Sequence, residues 1–209
     1  MNENEIRKIV ERVLSDVQSA AAPIPVEASA RHVHLTKEAV ELLFGKGASL
    51  TKKRDLSQPG EFLSEQRLKL VTPKGEIANV AVLGPERKAV QVELSMTDCR
   101  TLGIKAPVNL SGDLTGAGDV YLVSDKAVLH ACGSVIVAQN HIHMTPADAE
   151  RYSLKDSQSV KVRINTARPV TFDNVIVRVS PKFSLAMHID FDEANACCLD
   201  KDSTGIISL

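Results

Sequence analysis

The feature that most restricts the fold of this chain is a seven-residue motif that occurs twice. Residues 30–36, with the sequence ARHVHLT, recur without a gap at residues 139–145 as QNHIHMT. Each copy contains two histidines spaced i, i+2, and a threonine follows two residues after the second one. In an extended segment such side chains project from one face, so each copy directs two imidazoles toward a common point. The motif therefore predicts a duplicated fold and favours binding of a metal ion.

Length and composition fit two domains of about 100 residues, because 209 residues with 44 % hydrophobic content can bury two cores. Aromatic residues make up only 3 %, so we expect these cores to be aliphatic. The formal net charge is −1, from 25 basic and 26 acidic residues, and it favours neither nucleic acid nor an anionic membrane as a partner. We expect a protein that binds small molecules.

The sequence also indicates the compartment. No apolar run reaches the roughly 20 residues that a bilayer span needs, and the N-terminal segment lacks the hydrophobic stretch of a secretory signal. The four cysteines form no Cys-x-x-Cys pair and no disulfide framework; they are Cys99, Cys132, Cys197 and Cys198. We therefore expect a cytosolic protein in which the cysteines are mostly structural thiols.

The first 22 residues predict an amphipathic helix with a linker. Apolar residues lie at helical spacing among charged ones, at Ile6, Ile9, Val10, Val13, Leu14 and Val17. Residues 20–25 are rich in alanine and proline, which end the helix and separate it from the body of the protein. Two interpretations stay open, a docking peptide and a first helix packed on the core, and the linker favours the docking peptide.

Both His-x-His motifs lead into a predicted helix. Thr36 is placed to cap a helix over Lys37–Phe44. Thr145 is placed to cap a second helix, in which Pro146 takes the first position and Asp148 completes a capping box. Exposed backbone N–H groups at such helix starts favour anions, so phosphate or carboxylate would suit this neighbourhood.

The rest of the chain predicts a mostly β protein of the α+β class. Short runs rich in Val, Leu and Ile, separated by Gly and Pro turns, predict strands at residues 67–72, 76–83, 89–94, 159–164, 170–172 and 175–179. We place the first half at residues 23–115 and the second at 116–209, with an approximate boundary and possible exchange of strands. The glycine-rich residues 111–119 are interpreted as the link between the halves, and they lack the pattern of a phosphate loop.

The duplication extends further when residues 93–100 are aligned with residues 188–195. Glu93 then matches His188, and each half ends a strand with a strong metal ligand before a short helix. Two ligand sets result: His32, His34 and Glu93 in one half, and His141, His143 and His188 in the other. Both are combinations that bind zinc with a position left open for water or substrate. The sixth histidine, His130, is interpreted as a core or surface residue.

Arg87 is a candidate anion-binding residue because it lies six positions before Glu93. On one strand this even spacing would place both side chains on the same face. An arginine beside a metal offers phosphate or carboxylate a bidentate partner that is always charged. The alternative is an exposed arginine at a turn, and the spacing alone does not decide between them.

Five blocks of this sequence resemble the PduL-type phosphate propanoyltransferases, a family of phosphotransacylases. They are residues 31–35, 84–87, 91–95, 136–144 and 187–196, in this order. The resemblance extends over about residues 24–200. It implies two β-barrel-like domains related by a pseudo-twofold duplication, and a site with two zinc ions. It also implies exchange between acyl-CoA, with propionyl-CoA the expected donor, plus phosphate and acyl phosphate plus CoA.

The resemblance also implies roles for single residues. The set His32, His34 and Glu93 would bind one zinc ion, and the set His141, His143 and His188 the other. Arg87 would hold phosphate, and Arg54 and Asn195 would contact coenzyme A. The N-terminal helix resembles the encapsulation peptide that directs members into the lumen of bacterial microcompartments, and members tend to form homodimers.

This chemistry suggests direct attack of phosphate on the thioester in a ternary complex, since no cysteine or serine lies in a recognisable nucleophile motif. A covalent acyl-enzyme at Cys99 is the less favoured route. Two other functions stay open: a zinc hydrolase acting on a thioester or phosphate ester, and a metal-stabilised scaffold without catalytic activity.

Overall fold

The structure, a computed structural model, describes residues 5–7 and 22–208. Residues 5–7 are helical, and the rest of the predicted N-terminal helix lies outside the described residues. Among the described residues, contacts divide the chain into two compact units. Unit 2 contains Ser29–Gln139 and Asp190–Asp192, and unit 1 contains the described residues before Ser29 and the remainder from Asn140 onward.

Between residues 22 and 208 the chain forms fourteen strands and four helices. The strands are β1 (Ile24–Ser29), β2 (His32–His34), β3 (Lys52–Asp55), β4 (Phe62–Thr72), β5 (Gly75–Gly84), β6 (Gln91–Leu94), β7 (Val108–Asn109), β8 (Gly118–Val123), β9 (Val128–Ala138), β10 (His141–Met144), β11 (Ser159–Asn165), β12 (Thr171–Val179), β13 (Ala186–Asp190) and β14 (Thr204–Ser208). The helices are α1 (Lys37–Phe44), α2 (Met96–Leu102), α3 (Pro146–Arg151) and α4 (Phe191–Ala196). The predicted mostly β fold with few helices is therefore confirmed.

Each unit is built on a closed barrel of six strands. In unit 1 the order is β1-β13-β10-β12-β11-β14, and β14 pairs back to β1. In unit 2 the order is β4-β5-β2-β6-β9-β8, and β8 closes the ring because it pairs with both β9 and β4. Strands β3 and β7 attach to this ring at β4 and β9. Barrel closure leaves the six ring strands without free edges.

The strand that carries each His-x-His motif has the same neighbours in both barrels. Strand β2 runs parallel to β5 and antiparallel to β6, and β10 runs parallel to β12 and antiparallel to β13. The register also agrees, since His32 is opposite Glu93 and His141 is opposite His188. The duplication and the alignment of Glu93 with His188 are thus confirmed at the level of topology.

The middle residue of each motif anchors its strand in an aliphatic core. Val33 and Ile142 are both fully buried, and they belong to the core clusters of unit 2 and unit 1 respectively. Because successive side chains of a strand point to opposite faces, the flanking histidines point away from these cores. Burial of a Val or Ile side chain contributes about 1.5–3 kcal/mol, so each core fixes the direction of its two imidazoles.

The predicted helices after the motifs are confirmed with their caps. The Thr36 side chain accepts a hydrogen bond from the Ala39 N–H, and α1 spans the predicted residues. Thr145 and Asp148 form a full capping box at α3, and Pro146 occupies the first turn. The predicted strands correspond to β4, β5, β6, β11 and β12, with ends shifted by a few residues.

The path between the halves differs from the expected one. Residues 111–119, interpreted as the link between the halves, lie inside unit 2, between β7 and β8. Strands β8 and β9 complete the barrel of unit 2, and β1 belongs to the barrel of unit 1. Relative to a division near residue 115, β8 and β9 thus belong to the barrel of the first half and β1 to that of the second, which is the kind of strand exchange that the sequence analysis leaves possible. None of the helices in the described part of the chain is long and apolar enough to cross a membrane.

Candidate active site

Three polar side chains of unit 2 converge on one point at the paired strands β2 and β6. The Nε2 atoms of His32 and His34 are 3.1 Å apart. The carboxylate of Glu93 lies 3.5 Å from Nε2 of His32 and 4.0 Å from Nε2 of His34. All three residues are buried, with 2 to 7 % of their surface exposed. The structure thus brings together the predicted ligand set of this half.

The spacing of these atoms fits a small tetrahedral metal site. With Zn–N and Zn–O distances near 2.0–2.1 Å, two ligand atoms of a tetrahedron are about 3.4 Å apart. The three observed distances lie around this value. His32 also donates from Nδ1 to the carbonyl oxygen of Ala30 at 2.7 Å, which leaves the lone pair of Nε2 directed at the shared point. These residues therefore could hold a metal ion.

The electrostatics of the pair also suit a metal, because His34 is held neutral. Burial lowers the pKa of His34 well below its ordinary value, and the neighbouring His32 and the positive charge of Arg87 lower it further. A smaller opposing effect comes from the backbone of Leu83. A neutral imidazole is the form that binds a metal, so few protons compete for this ligand at neutral pH.

The second predicted set lies on strands β10 and β13 of unit 1. The ring centroids are 4.7 Å apart for His141 and His143, 4.9 Å for His143 and His188, and 5.4 Å for His141 and His188. Three imidazoles around a tetrahedral zinc ion would have centroids about 5.2 Å apart, since each centroid lies about 1.1–1.2 Å behind the bound nitrogen. The structure therefore brings these three rings together, with all centroids within 5.4 Å of one another.

His143 resembles His34 in its electrostatics. Burial, followed by the nearby His141 and His188, lowers the pKa of His143 to about 2, with a smaller effect of Arg178. Its ring lies 4.1 Å from the ring of Phe183, centroid to centroid. The Nδ1 atoms of His34 and His143 are buried and make no hydrogen bond. Both second histidines of the repeated motif are therefore neutral rings.

Arg87 does not lie where the spacing argument placed it. Strand β5 ends at Gly84 and β6 begins at Gln91, so Arg87 lies in the intervening loop, and the assumption of a shared strand with Glu93 is wrong. The physical reason is Pro85, which has no N–H group to continue the strand pairing. The loop is nonetheless tied to the site, because the Arg87 N–H donates to the Leu35 carbonyl oxygen at 2.8 Å.

The guanidinium of Arg87 is held by two side chains. Nη2 lies 3.0 Å from Oε1 of Glu61, and Nη1 donates to Oγ of Ser111 at 3.2 Å. The side chain remains 33 % exposed. Its positive charge is the third cause, after burial and His32, of the lowered pKa of His34. Arg87 therefore presents a fixed positive charge beside the first histidine pair.

Two residues absent from the sequence-based site connect this arginine with the candidate metal ligands. Nε2 of Gln91 donates to Oε1 of Glu93 at 2.6 Å and to Oγ of Ser111 at 2.9 Å. Oε1 of Gln91 accepts from the Gly112 N–H at 2.9 Å. The alternation of β6 places Gln91 on the same face as Glu93, which is a signal that the sequence offered. Ser111 comes from a distant loop, and local sequence gives no such signal.

The remaining residues considered in the sequence analysis lie at exposed positions of strands and helices or in the core. Arg54, in β3, and Asn195, in α4, are both exposed. His130 is exposed in β9 and stacks on Tyr121, with ring centroids 4.4 Å apart, so of the two interpretations, core or surface residue, the structure supports the surface. Cys99 is buried in the core of unit 2, and burial, with a smaller effect of nearby Asp98, raises its pKa to about 11.

Comparison with known proteins identifies the family of this chain. The family model described as phosphate propanoyltransferase matches residues 25–200. A protein of Leptotrichia buccalis named phosphate propanoyltransferase is 51 % identical over 210 aligned residues, with 99 % of each chain covered. Proteins of the same name from Listeria monocytogenes and Alkaliphilus metalliredigens are 49 % and 47 % identical, and the alignments cover 99 % and 98 % of this chain and 97 % and 98 % of the relatives.

The match covers the whole barrel of unit 2 and, apart from β14 and the first residue of β1, the barrel of unit 1. It includes both His-x-His motifs, Arg87 and the strands that carry Glu93 and His188. The resemblance derived from separated sequence blocks is thereby confirmed. This chain belongs to the phosphate propanoyltransferase family and is an acyltransferase.

Proposed function

We propose that this enzyme transfers an acyl group between coenzyme A and phosphate, with propionyl-CoA as the acyl donor in one direction and acyl phosphate as the product. The name that the relatives share supports propanoyl and phosphate as the reacting groups. The observation that carries the proposal is the arrangement of His32, His34 and Glu93 in a buried cluster beside the fixed guanidinium of Arg87. Such a site suits an anionic oxygen nucleophile and a carbonyl that must accept negative charge.

We further propose one zinc ion in each unit. His32, His34 and Glu93 would hold one ion, and His141, His143 and His188 the other. The two donor sets are rich in imidazole, which favours zinc among the divalent metals. When bound, zinc supplies a positive charge that polarises a carbonyl or phosphoryl oxygen.

Arg87 would bind the phosphate. Its guanidinium has five N–H donors in a planar fork that matches phosphate geometry, and its charge offsets the repulsion between phosphate and other anions. A phosphate oxygen then forms a bond to the thioester carbon, and the carbon–sulfur bond breaks with its electron pair going to the coenzyme A sulfur. Holding the phosphate oxygen next to the thioester carbon lowers the entropic part of the barrier.

The chain offers no support for a covalent intermediate at Cys99. A thiol must ionise to act as a nucleophile, and the raised pKa of Cys99 keeps it protonated at neutral pH. Its side chain is also 1 % exposed. Direct attack by phosphate in a ternary complex is therefore the mechanism that we propose.

Further parts of the proposal concern coenzyme A and the assembly. Arg54 and Asn195 would contact coenzyme A, and both are exposed and thus accessible to a ligand. The chain would form a homodimer, and residues 1–22 would direct it to the lumen of a bacterial microcompartment by docking on shell or cargo. Deleting these 22 residues should abolish capture into a compartment and leave the specific activity intact. Loss of folding would instead favour a helix packed on the core.

The decisive experiment measures release of coenzyme A from acetyl-, propionyl- and butyryl-CoA with and without phosphate. We expect release, with matching formation of acyl phosphate, only when phosphate is present, and zinc content of two ions per chain. Release at an equal rate without phosphate would identify a zinc hydrolase instead. A protein without activity that loses only stability on removal of metal would be a scaffold.

Arg87→Met is the matched test of the arginine. Loss of a charged donor that acts on the reacting group costs about 100-fold or more in activity. The control is Arg163→Met, which removes an exposed arginine of β11 in unit 1 and should leave kcat and the KM for phosphate unchanged. Equal activity of the two variants would contradict the role of Arg87.

A further inference from the structure

The carboxylate of Glu93 in unit 2 accepts a hydrogen bond from Gln91, two residues earlier on the same strand. Oε2 of Glu93 lies 3.5 Å from Nε2 of His32, whereas Oε1 lies 4.0 Å from Nε2 of His34 and receives the short hydrogen bond from Gln91. A carboxylate has two oxygens and can rotate between one-oxygen and two-oxygen binding. A donor on Oε1 therefore restricts this rotation and keeps Oε2 on the side of His32.

The duplication shows what replaces this donor when the third residue is a histidine. Glu93 corresponds to His188, so Gln91, two residues earlier on β6, corresponds to Ala186 on β13. His34 is opposite Gln91, and His143 is opposite Ala186. An imidazole has no second oxygen on the group that binds a metal, and there the position carries only a methyl group. Gln91 thus accompanies the carboxylate specifically.

Gln91 is buried and its amide is fully engaged. Its exposed surface is 3 %, its nitrogen donates to Glu93 and Ser111, and its oxygen accepts from the Gly112 N–H. The Oγ atom of Ser111 also receives a hydrogen bond from Nη1 of Arg87. One amide therefore joins the candidate metal carboxylate to the candidate phosphate-binding guanidinium through a single hydroxyl.

We propose that Gln91 and Ser111 are positioning residues of this acyltransferase, with Gln91 orienting Glu93 toward its metal and Ser111 coupling that orientation to Arg87. The inference rests on the proposed function, since it takes Glu93 as a ligand and Arg87 as the phosphate-binding group. Neither Gln91 nor Ser111 would touch the reacting atoms. Their effect is to keep the carboxylate and the guanidinium in one fixed arrangement before the substrates bind.

The test compares two variants that break different links. Gln91→Met keeps the length of the side chain and removes all three hydrogen bonds. We expect the zinc affinity of the unit 2 site to fall about 10- to 100-fold in competition with a chelator, as when the hydrogen-bond partner of a metal ligand is lost. Ser111→Ala removes the hydroxyl that accepts from Arg87 and from Gln91, and it leaves the hydrogen bond from Gln91 to Glu93 in place. It should raise the KM for phosphate several-fold and leave zinc affinity unchanged.

A control is available in Gln66 of the same unit. Its Oε1 accepts from the Thr51 N–H, and its Nε2 donates to the Ser49 carbonyl oxygen and to Oγ1 of Thr51, so it also makes three side-chain hydrogen bonds without touching a candidate ligand. Gln66→Met should change neither zinc affinity nor the KM for phosphate. A conservative second variant, Gln91→Glu, keeps the acceptor for Gly112 but removes the donor, and it should also perturb zinc binding.

A readout independent of activity is the visible absorption of the cobalt-substituted protein, which reports the ligand field. Gln91→Met should shift the bands of the ion bound by the His32 set, and Ser111→Ala should not. Unchanged spectrum, zinc affinity and phosphate KM in Gln91→Met would overturn the inference alone. If the unaltered chain bound no metal through His32, the proposed zinc site would fail together with the inference. If Gln91→Met failed to fold, Ser111→Ala and Gln91→Glu would decide by the same measurements.

Discussion

Arg31 and Asp98 form an ion pair that ties the His-x-His strand of unit 2 to the helix after its carboxylate. Nη2 of Arg31 lies 3.1 Å from Oδ1 of Asp98, and Oδ2 of Asp98 accepts from the Ser95 N–H in the capping box of α2. Unit 1 repeats the relation with different chemistry, since Nδ2 of Asn140 donates to Oε1 of Glu193 at 2.6 Å. Each acidic residue lies five positions after the third residue of its set.

Removal of this buried carboxylate should destabilise unit 2. Asp98→Ala loses both the helix cap and the partner of Arg31, and together these cost about 1–3 kcal/mol of unfolding free energy. Urea denaturation measures this loss. Asp148→Ala serves as a comparison, because Asp148 completes the capping box of α3. A double-mutant cycle with Arg31→Met should give a coupling of about 0.5–1 kcal/mol, and zero coupling would show that the ion pair contributes nothing.

The lowered pKa values of His34 and His143 predict acid sensitivity of the metal-free protein. Below pH of about 6.5 the unfolded chain binds protons on these rings, whereas the folded chain, with both pKa values depressed, does not. The free energy of unfolding is therefore highest above this pH and decreases as the pH falls. Each ring contributes a slope of about 1.4 kcal/mol per pH unit.

This slope can be measured by urea unfolding of chelator-treated protein between pH of about 6.5 and about 5, the range in which the unfolded imidazoles take up protons. His143→Gln should reduce the dependence of the unfolding free energy on pH by the contribution of one histidine, about 1.4 kcal/mol per pH unit. A slope in His143→Gln equal to that of the unaltered chain would refute a neutral buried His143.

The raised pKa of Cys99 predicts an unreactive thiol. At pH of about 8 iodoacetamide should label the exposed Cys132 and Cys198 and spare Cys99, and labelling in urea should reach all four cysteines. Mass spectrometry of peptides separates these sites. Because the folded pKa is raised to about 11, the protonated thiol is compatible with folding below pH 9, and stability falls as pH rises from 9 toward 11. A propanoyl group on Cys99 after incubation with propionyl-CoA would count against direct attack.

Gly84 should not accept a larger residue. A Cβ atom at this position would overlap the ring of Phe62, which packs against the core of unit 2. We expect Gly84→Ala to cost about 1–3 kcal/mol, as overpacking in a core does. The double variant Gly84→Ala with Phe62→Leu should recover part of this loss in thermal unfolding. Additive losses would show that the ring is not the cause.

Local sequence was sufficient wherever a short-range rule decides the structure. Thr36, Thr145 and Pro146 placed their helices because capping depends on neighbours within one turn. The pairing of His32 with Glu93 could be predicted only because the chain contains a second copy of the motif, in which His141 is opposite His188.

The features that could not be predicted depend on contacts distant in sequence. Closure of the unit 2 barrel requires β8 to pair with β4, and the glycines before β8 had suggested a link between halves. The contacts of Ser111 span 20 residues to Gln91 and 24 residues to Arg87. No periodicity within a strand or helix encodes such a contact.

The pairing of β1 with β14, which joins Ile24 to Gly205, has a consequence for the order of events on the ribosome. All strands of unit 2 lie in one continuous stretch that is synthesised early, so its barrel can close while the remaining chain is still being made. The barrel of unit 1 needs its first and last strands together, and β1 must therefore wait until nearly the whole sequence has emerged. Since closing a long loop is slow, unit 1 should mature last.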